Sequence, residues 1–171
     1  MNWLRLRRSF LWVRVLPTHV VVGASTLGPL GERMRAPGTW GSLAGLALFA
    51  VLFYGQHPIT AILLNLVLIY IAMAFTDEAE ERLRLKDPGK IILDEFVAMP
   101  LCFIGLTPVM MEKSGWVVML PGFALFRLLD ITKPWIVGRM QSLPGGIGCV
   151  ADDVVAALLT NVILQIVFGF I

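Results

Sequence analysis

The chain has 171 residues, 57% of them hydrophobic and only 15% charged, with a formal net charge of +2. A soluble domain of this length needs more charge to cover its surface, and a mean hydropathy of +0.80 says that much of this surface faces lipid. The small net charge gives no footing for nucleic acid, and the length suits one domain.

The first 18 residues are basic and aromatic, with Trp3, Arg5, Arg7, Arg8, Phe10, Trp12 and Arg14. Arg14 interrupts the apolar stretch, and no small-residue cleavage site follows. Residues 1–18 are therefore expected to form an interfacial helix on an anionic membrane surface, and residues 19–171 a single membrane-embedded domain. Val20–Gly31 is apolar but broken by Gly23, Gly28 and Pro29, as in a re-entrant or interfacial loop.

Five apolar segments follow: Trp40–Gly55, Ile59–Phe75, Phe96–Met111, Trp116–Leu129 and Val154–Ile171. Each is near or below the roughly 20 residues that cross a bilayer as a helix. The expected fold is an all-α, polytopic membrane bundle of about five spanning segments. His57-Pro58 and Met111–Gly115 mark tight turns between neighbouring spans. Arginine and lysine crowd the N-terminal side and the loops after the second and fourth segments. The positive-inside rule then places those loops in the cytoplasm. Of the twelve acidic residues only Glu112 falls on the far side. The stretch Asp77–Lys90 carries both signs and reads mostly as a solvated helix extension.

Acids at the edge of hydrocarbon are costly unless paired or bound to a cation. Asp94-Glu95 and Asp152-Asp153 are each placed at a predicted helix start. One carboxylate there suits the helix dipole, but two adjacent pairs repel, and a hard divalent cation relieves the repulsion. Asp94, Glu95, Asp152 and Asp153 are thus the candidate ligands for Mg²⁺. Thr39, after Pro37-Gly38, is expected to cap the first span and leave amide groups for a phosphate. Arg127, Asp130 and Lys133 are spaced by three and share a helical face, with Arg127 and Lys133 as the phosphate clamp. The catalytic candidates are Asp94, Glu95, Asp130 and Asp153. Gly145-Gly146-Ile147-Gly148 precedes the last acidic pair, where backbone can approach a phosphate. Cys102 and Cys149 are the only cysteines, and neither a disulfide nor a Cys–His zinc site is expected.

Pro37-Gly38-Thr39-Trp40-Gly41-Ser42, Asp94-Glu95-Phe96, Phe126-Arg127-Leu128-Leu129-Asp130 with Lys133-Pro134-Trp135, and Gly145–Gly148 with Asp152-Asp153 resemble, in this order, the phosphatidylglycerophosphatase A family. The resemblance covers roughly residues 20 to 171. It implies an all-helical enzyme of the bacterial inner membrane, with Mg²⁺ required. It implies removal of the terminal phosphate of phosphatidylglycerol phosphate, giving phosphatidylglycerol. Glu32, Arg33 and Arg35, and Ala98 and Pro100 after the acidic pair, depart from the family's pattern. Pro100 is expected to kink the third segment. The partners expected are a phospholipid substrate and the membrane, and the residues place the active site at the cytoplasmic face. Two other classes fit acids at a membrane edge. A transporter places charges at the midplane, often in inverted repeats, and neither is seen here. A Mg²⁺-dependent phosphoalcohol transferase carries an extended Asp-Gly…Ala-Arg…Gly…Asp…Asp array on neighbouring helices, which is not present here.

Overall fold

The computed structural model describes residues 10–169 except 141 and 144, and all of the regular structure described is helical. The expectation for the first 18 residues falls largely on residues 1–9, outside the described part. What is described there is a single 3-10 turn, Leu11–Val15, rather than an interfacial helix. Phe10 and Val13 are buried against Ala74 instead of lying on a surface.

Two short helices follow, α1 (Thr18–Ser25) and α2 (Pro29–Arg33), so the broken Val20–Gly31 stretch is a helix, a turn through Gly28 and a second helix. Helix α3 (Pro37–Leu48) starts with Pro37 in the first turn, after Ala36 in the left-handed region, and runs on into a π-type turn, Phe49–Phe53. Helix α4 (Pro58–Leu83) also starts on a proline. The His57 side chain caps it by accepting from the Ile59 amide at 3.3 Å, and Arg84 ends it in the left-handed region. Helix α5 (Leu93–Ala98) passes into a 3-10 segment, Met99–Phe103, as the placement of Pro100 leads one to expect. Helix α6 (Thr107–Lys113) leaves it at 73° after Gly105, whose φ is +85°. Helix α7 (Gly115–Thr132) ends at Lys133, in the left-handed region and followed by proline. Helices α8 (Trp135–Met140) and α9 (Gly146–Gly169) complete the described chain.

Among the described residues α4, α7 and α9 are long and apolar enough to cross a membrane, and the bent α5–α6 pair makes a fourth crossing if it counts as one. Five straight spans are not what forms. Helix α3 with its π turn rises only about 25 Å at ~1.5 Å per residue, short of the ~30 Å hydrocarbon core. The third apolar segment is broken where Pro100 and Gly105 stop the regular hydrogen-bond ladder.

The core lies where α3, the α5 region, α7 and α9 meet. Phe49, Phe103, Phe126 and Val118 are fully buried there, and the Phe49 and Phe103 rings lie 5.0 Å apart. Large apolar side chains also line the outside, such as Leu63, Leu66 and Val67 on α4, Leu120 on α7 and Val162 on α9. Helices apolar both inside and out belong in lipid. Glycines let α3 and α5 touch backbone to backbone: a Cβ on Gly45 would sit 2.6 Å from both Met99 Cβ and the Phe96 carbonyl. That contact brings the start of α3 to the acids of α5.

Candidate active site

The first turn of α5 presents Asp94 and Glu95, as their placement at a helix start leads one to expect. Asp94 is buried, and its Oδ1 accepts from the Glu95 amide at 3.1 Å. Helix α9 begins at Gly146, earlier than the sequence suggests, so Asp152 and Asp153 sit well inside it rather than in its first turn. The helix dipole therefore offers them little, and both are buried. Asp94, Glu95 and Asp153 each point one carboxylate oxygen into a common space, within 4.8 Å of one another. Glu95 Oε2 is shielded from solvent and has no hydrogen-bond partner. Buried like charges at this separation cannot all stay ionised without a cation. Oxygen-only donors with an orphaned carboxylate oxygen suit a hard divalent ion such as Mg²⁺.

Asp152 stands apart from that trio. Its Oδ2 takes a 2.7 Å ion pair from Lys133 Nζ, while its Oδ1 is buried without a partner. Burial alone pushes the Lys133 ammonium down, but the hydrogen bond and charge of Asp152, with Asp87 and Asp153 behind it, outweigh this and hold its pKa above the ordinary 10.5.

The i, i+3 spacing of Arg127 and Asp130 forms the expected contact, with Nη1 and Oδ2 2.6 Å apart. The same nitrogen reaches Ser42 Oγ at 3.4 Å and Glu95 Oε1 at 3.7 Å. Arg127 thus joins three elements, α3, α5 and α7. Lys133, just past the end of α7, turns to α9 rather than continuing the face of Arg127 and Asp130. Thr39 is not the cap of α3. The helix starts two residues before it, and its amide bonds the Ala36 carbonyl at 3.0 Å. Besides Ser42, Gly38 of that motif meets the site: a Cβ there would strike Glu95 Oε1 and come within 3.1 Å of both terminal nitrogens of Arg127.

The glycines before α9 serve an acid of the chain itself. The Gly146 amide donates to Asp77 Oδ1 at 3.1 Å, and a Cβ on Gly145 or Gly146 would collide with Asp77. Asp77 therefore occupies the start of α9, where the sequence suggests room for a phosphate. The Asp77–Lys90 stretch does extend α4, but it is tied down: Arg82 pairs with Glu78 at 2.8 Å and donates to the Leu16 carbonyl at 2.8 Å. Its loop also carries Asp87 to 3.9 Å from Lys133 Nζ. Asp87 and Cys149 are the neighbours of the site that sequence reasoning missed. A loop return of this kind leaves no periodic signal, and a thiol among glycines reads as packing. Both cysteines are free and buried. The Cys149 thiol lies 2.8 Å from Asp94 Oδ2.

A bundle of apolar helices with a buried acidic group flanked by an arginine and a lysine has the features of a membrane enzyme that acts on an anionic group. The comparison with known families narrows it. The sequence model described as phosphatidylglycerophosphatase A matches residues 23–168. The chain belongs to that family, and it is accordingly a phosphoric monoester hydrolase of lipid metabolism. It is 33% identical to phosphatidylglycerophosphatase A of Haemophilus influenzae over 75% of this chain and 77% of the relative. It is 29% identical to phosphatidylglycerophosphatase A of Escherichia coli over 88% and 83%. It is also 30% identical to a putative phosphatidylinositol-3-phosphatase of Bacteroides thetaiotaomicron over 77% and 82%. No solved structure matches.

Proposed function

We propose that this chain hydrolyses the terminal phosphomonoester of phosphatidylglycerol phosphate to phosphatidylglycerol and phosphate, with Mg²⁺, at the cytoplasmic edge of a bacterial inner membrane. The observation that carries the reading is the convergence of Asp94, Glu95 and Asp153 from two helices within 4.8 Å, inside the region shared with the family. Their oxygens would hold the cation, with Asp152 next in line if Lys133 releases it. When bound, Mg²⁺ supplies Lewis-acid charge at the phosphoryl oxygens and lowers the pKa of the attacking water. Arg127 and Lys133 stabilise charge on the transferring group. Asp130 orients Arg127 through the 2.6 Å pair. A carboxylate of the group accepts the proton of the attacking water. Gly38 leaves room for Glu95 and Arg127 to face each other.

The same geometry supports the proposed location. Ion pairs and hydrogen bonds join the acids of α4, α5, α7 and α9, so the charged side chains gather in one part of the bundle, toward the start of α5 and the end of α7. A lipid whose acyl chains stay in the bilayer presents its phosphate at that depth. The excess of basic residues in the loops on that side of the sequence supports the cytoplasmic face.

The similarity to the relative named for phosphatidylinositol 3-phosphate favours one second reading, a phosphoinositide substrate. The test is phosphate release by the purified chain in mixed micelles of either lipid. The proposal expects phosphatidylglycerol phosphate to be the better substrate and Mg²⁺ to be required. Faster release from the phosphoinositide would move the assignment to that lipid, and release undiminished by chelator would remove Mg²⁺ from it.

A further inference from the structure

A second cluster lies against Asp94, and the mechanism above does not use it. Asp87 from the loop after α4, Asp94 from α5 and Cys149 from the start of α9 bring two carboxylate oxygens and a sulfur within 4.8 Å of one another. Cys149 Sγ is 2.8 Å from Asp94 Oδ2 and 3.3 Å from Asp87 Oδ1. Three separate segments supply these atoms, so no single helix terminus accounts for them.

A further acid borders the cluster. Asp152 lies one turn beyond Cys149 on the same face of α9, with its side chain 3% exposed. Its Oδ1 has no hydrogen-bond partner. Its Oδ2 is held by Lys133, and the same ammonium lies 3.9 Å from Asp87. Among the described residues no cation pairs with Asp94. A sulfur among oxygens changes which metal fits. Mg²⁺ prefers oxygen alone, whereas a thiolate selects a softer ion.

We propose that Asp87, Asp94 and Cys149, bordered by Asp152, form a site for a thiophilic divalent cation of the Zn²⁺ or Cd²⁺ type, and that this ion inhibits by taking Asp94 from the neighbouring acidic trio. On binding, the Cys149 S–H bond breaks, its proton leaves to water, and the sulfur gives an electron pair to the cation. The inhibitory part rests on the proposed function; the binding part does not.

The test is a Cd²⁺ titration of the full chain in detergent with Mg²⁺ in excess, in a Cys102→Ser background, read by the ultraviolet thiolate-to-Cd²⁺ charge-transfer band. The proposal expects a saturable band that Cys149→Val abolishes. It expects Asp87→Asn, a change in an exposed loop, to need roughly tenfold more Cd²⁺. No band, a band that survives Cys149→Val, or an unchanged midpoint in Asp87→Asn overturns the site. In the same samples Cd²⁺ should suppress phosphate release, less so in Cys149→Val. A band without suppression overturns the sharing of Asp94. Absence of phosphate release before any Cd²⁺ is added counts against the proposed function, and the band still decides the site.

Discussion

In Gly38→Ala the new methyl group projects onto Glu95 Oε1 and lies 3.1 Å from both terminal nitrogens of Arg127. Its neighbours are the far ends of flexible side chains, so they can withdraw at little cost in stability. The backbone favours the change, since alanine is better than glycine within a helix by up to about 1 kcal/mol. The same withdrawal moves a candidate ligand and the clamping arginine by about an ångström, and a displacement of that size can lower a rate on the order of a hundredfold. The variant should therefore melt at or above the temperature of the parent in detergent while phosphate release from phosphatidylglycerol phosphate falls about a hundredfold. Full activity in Gly38→Ala would refute the placement of Glu95 and Arg127 in the reacting site. A large loss of stability would refute the claim that the clash is absorbed by side chains.

Gly45→Val should behave in the opposite way, because there the added atoms meet Met99 Cβ and the Phe96 carbonyl at 2.6 Å, which cannot swing aside; a loss of roughly 1–3 kcal/mol is expected in detergent melts. Lys133→Met leaves Asp152 buried without its cation. The expected loss is roughly 2 kcal/mol, below the ~3–5 for a fully buried pair because Lys133 is 29% exposed, and Lys133→Met with Asp152→Asn should recover much of it. The pH dependence of that pair has a definite sign. A lysine whose folded pKa is raised contributes fully below its unfolded value and loses the contribution as pH climbs through the folded value. The stability gap between parent and Lys133→Met should thus stay level from about pH 7 to pH 10 and close only above that; a gap already shrinking at pH 8 would contradict the pairing. Asp130→Asn should cut the rate by roughly tenfold or more with little change in melting, since Arg127 loses its 2.6 Å charged partner but keeps Ser42 and Glu95.

Spacing within one helix was the most readable part of this sequence. Arg127 and Asp130 pair because three residues is nearly one turn, and Asp94-Glu95 begin a helix as acids after an apolar break do. What failed was the reading of glycines and of chain returns. Gly145–Gly148 has poor helix propensity and reads as a loop, yet Asp77 caps it and Gly146 opens α9. That one misjudged boundary moved Asp152 and Asp153 from a helix tip into the bundle. Thr39 was misplaced for a related reason. Proline is at home in the first turn of a helix, so α3 begins at Pro37 and the site meets Gly38 instead. The span count failed because apolar composition does not report bends, and Pro100 with Gly105 divides a stretch that hydropathy treats as continuous. Asp87 reaches the site through a loop and Cys149 sits among glycines, so nothing in their local pattern marks them.

The central claim is that Asp94, Glu95 and Asp153 form a cation-dependent phosphomonoesterase centre. Phosphate release from phosphatidylglycerol phosphate should be measured with Mg²⁺ and with chelator, for the parent chain and for Asp94→Asn and Asp153→Asn shown to be folded by their melts. The account predicts release by the parent that stops with chelator and is lost in both variants. Release that continues in either variant at the parent's rate would contradict it.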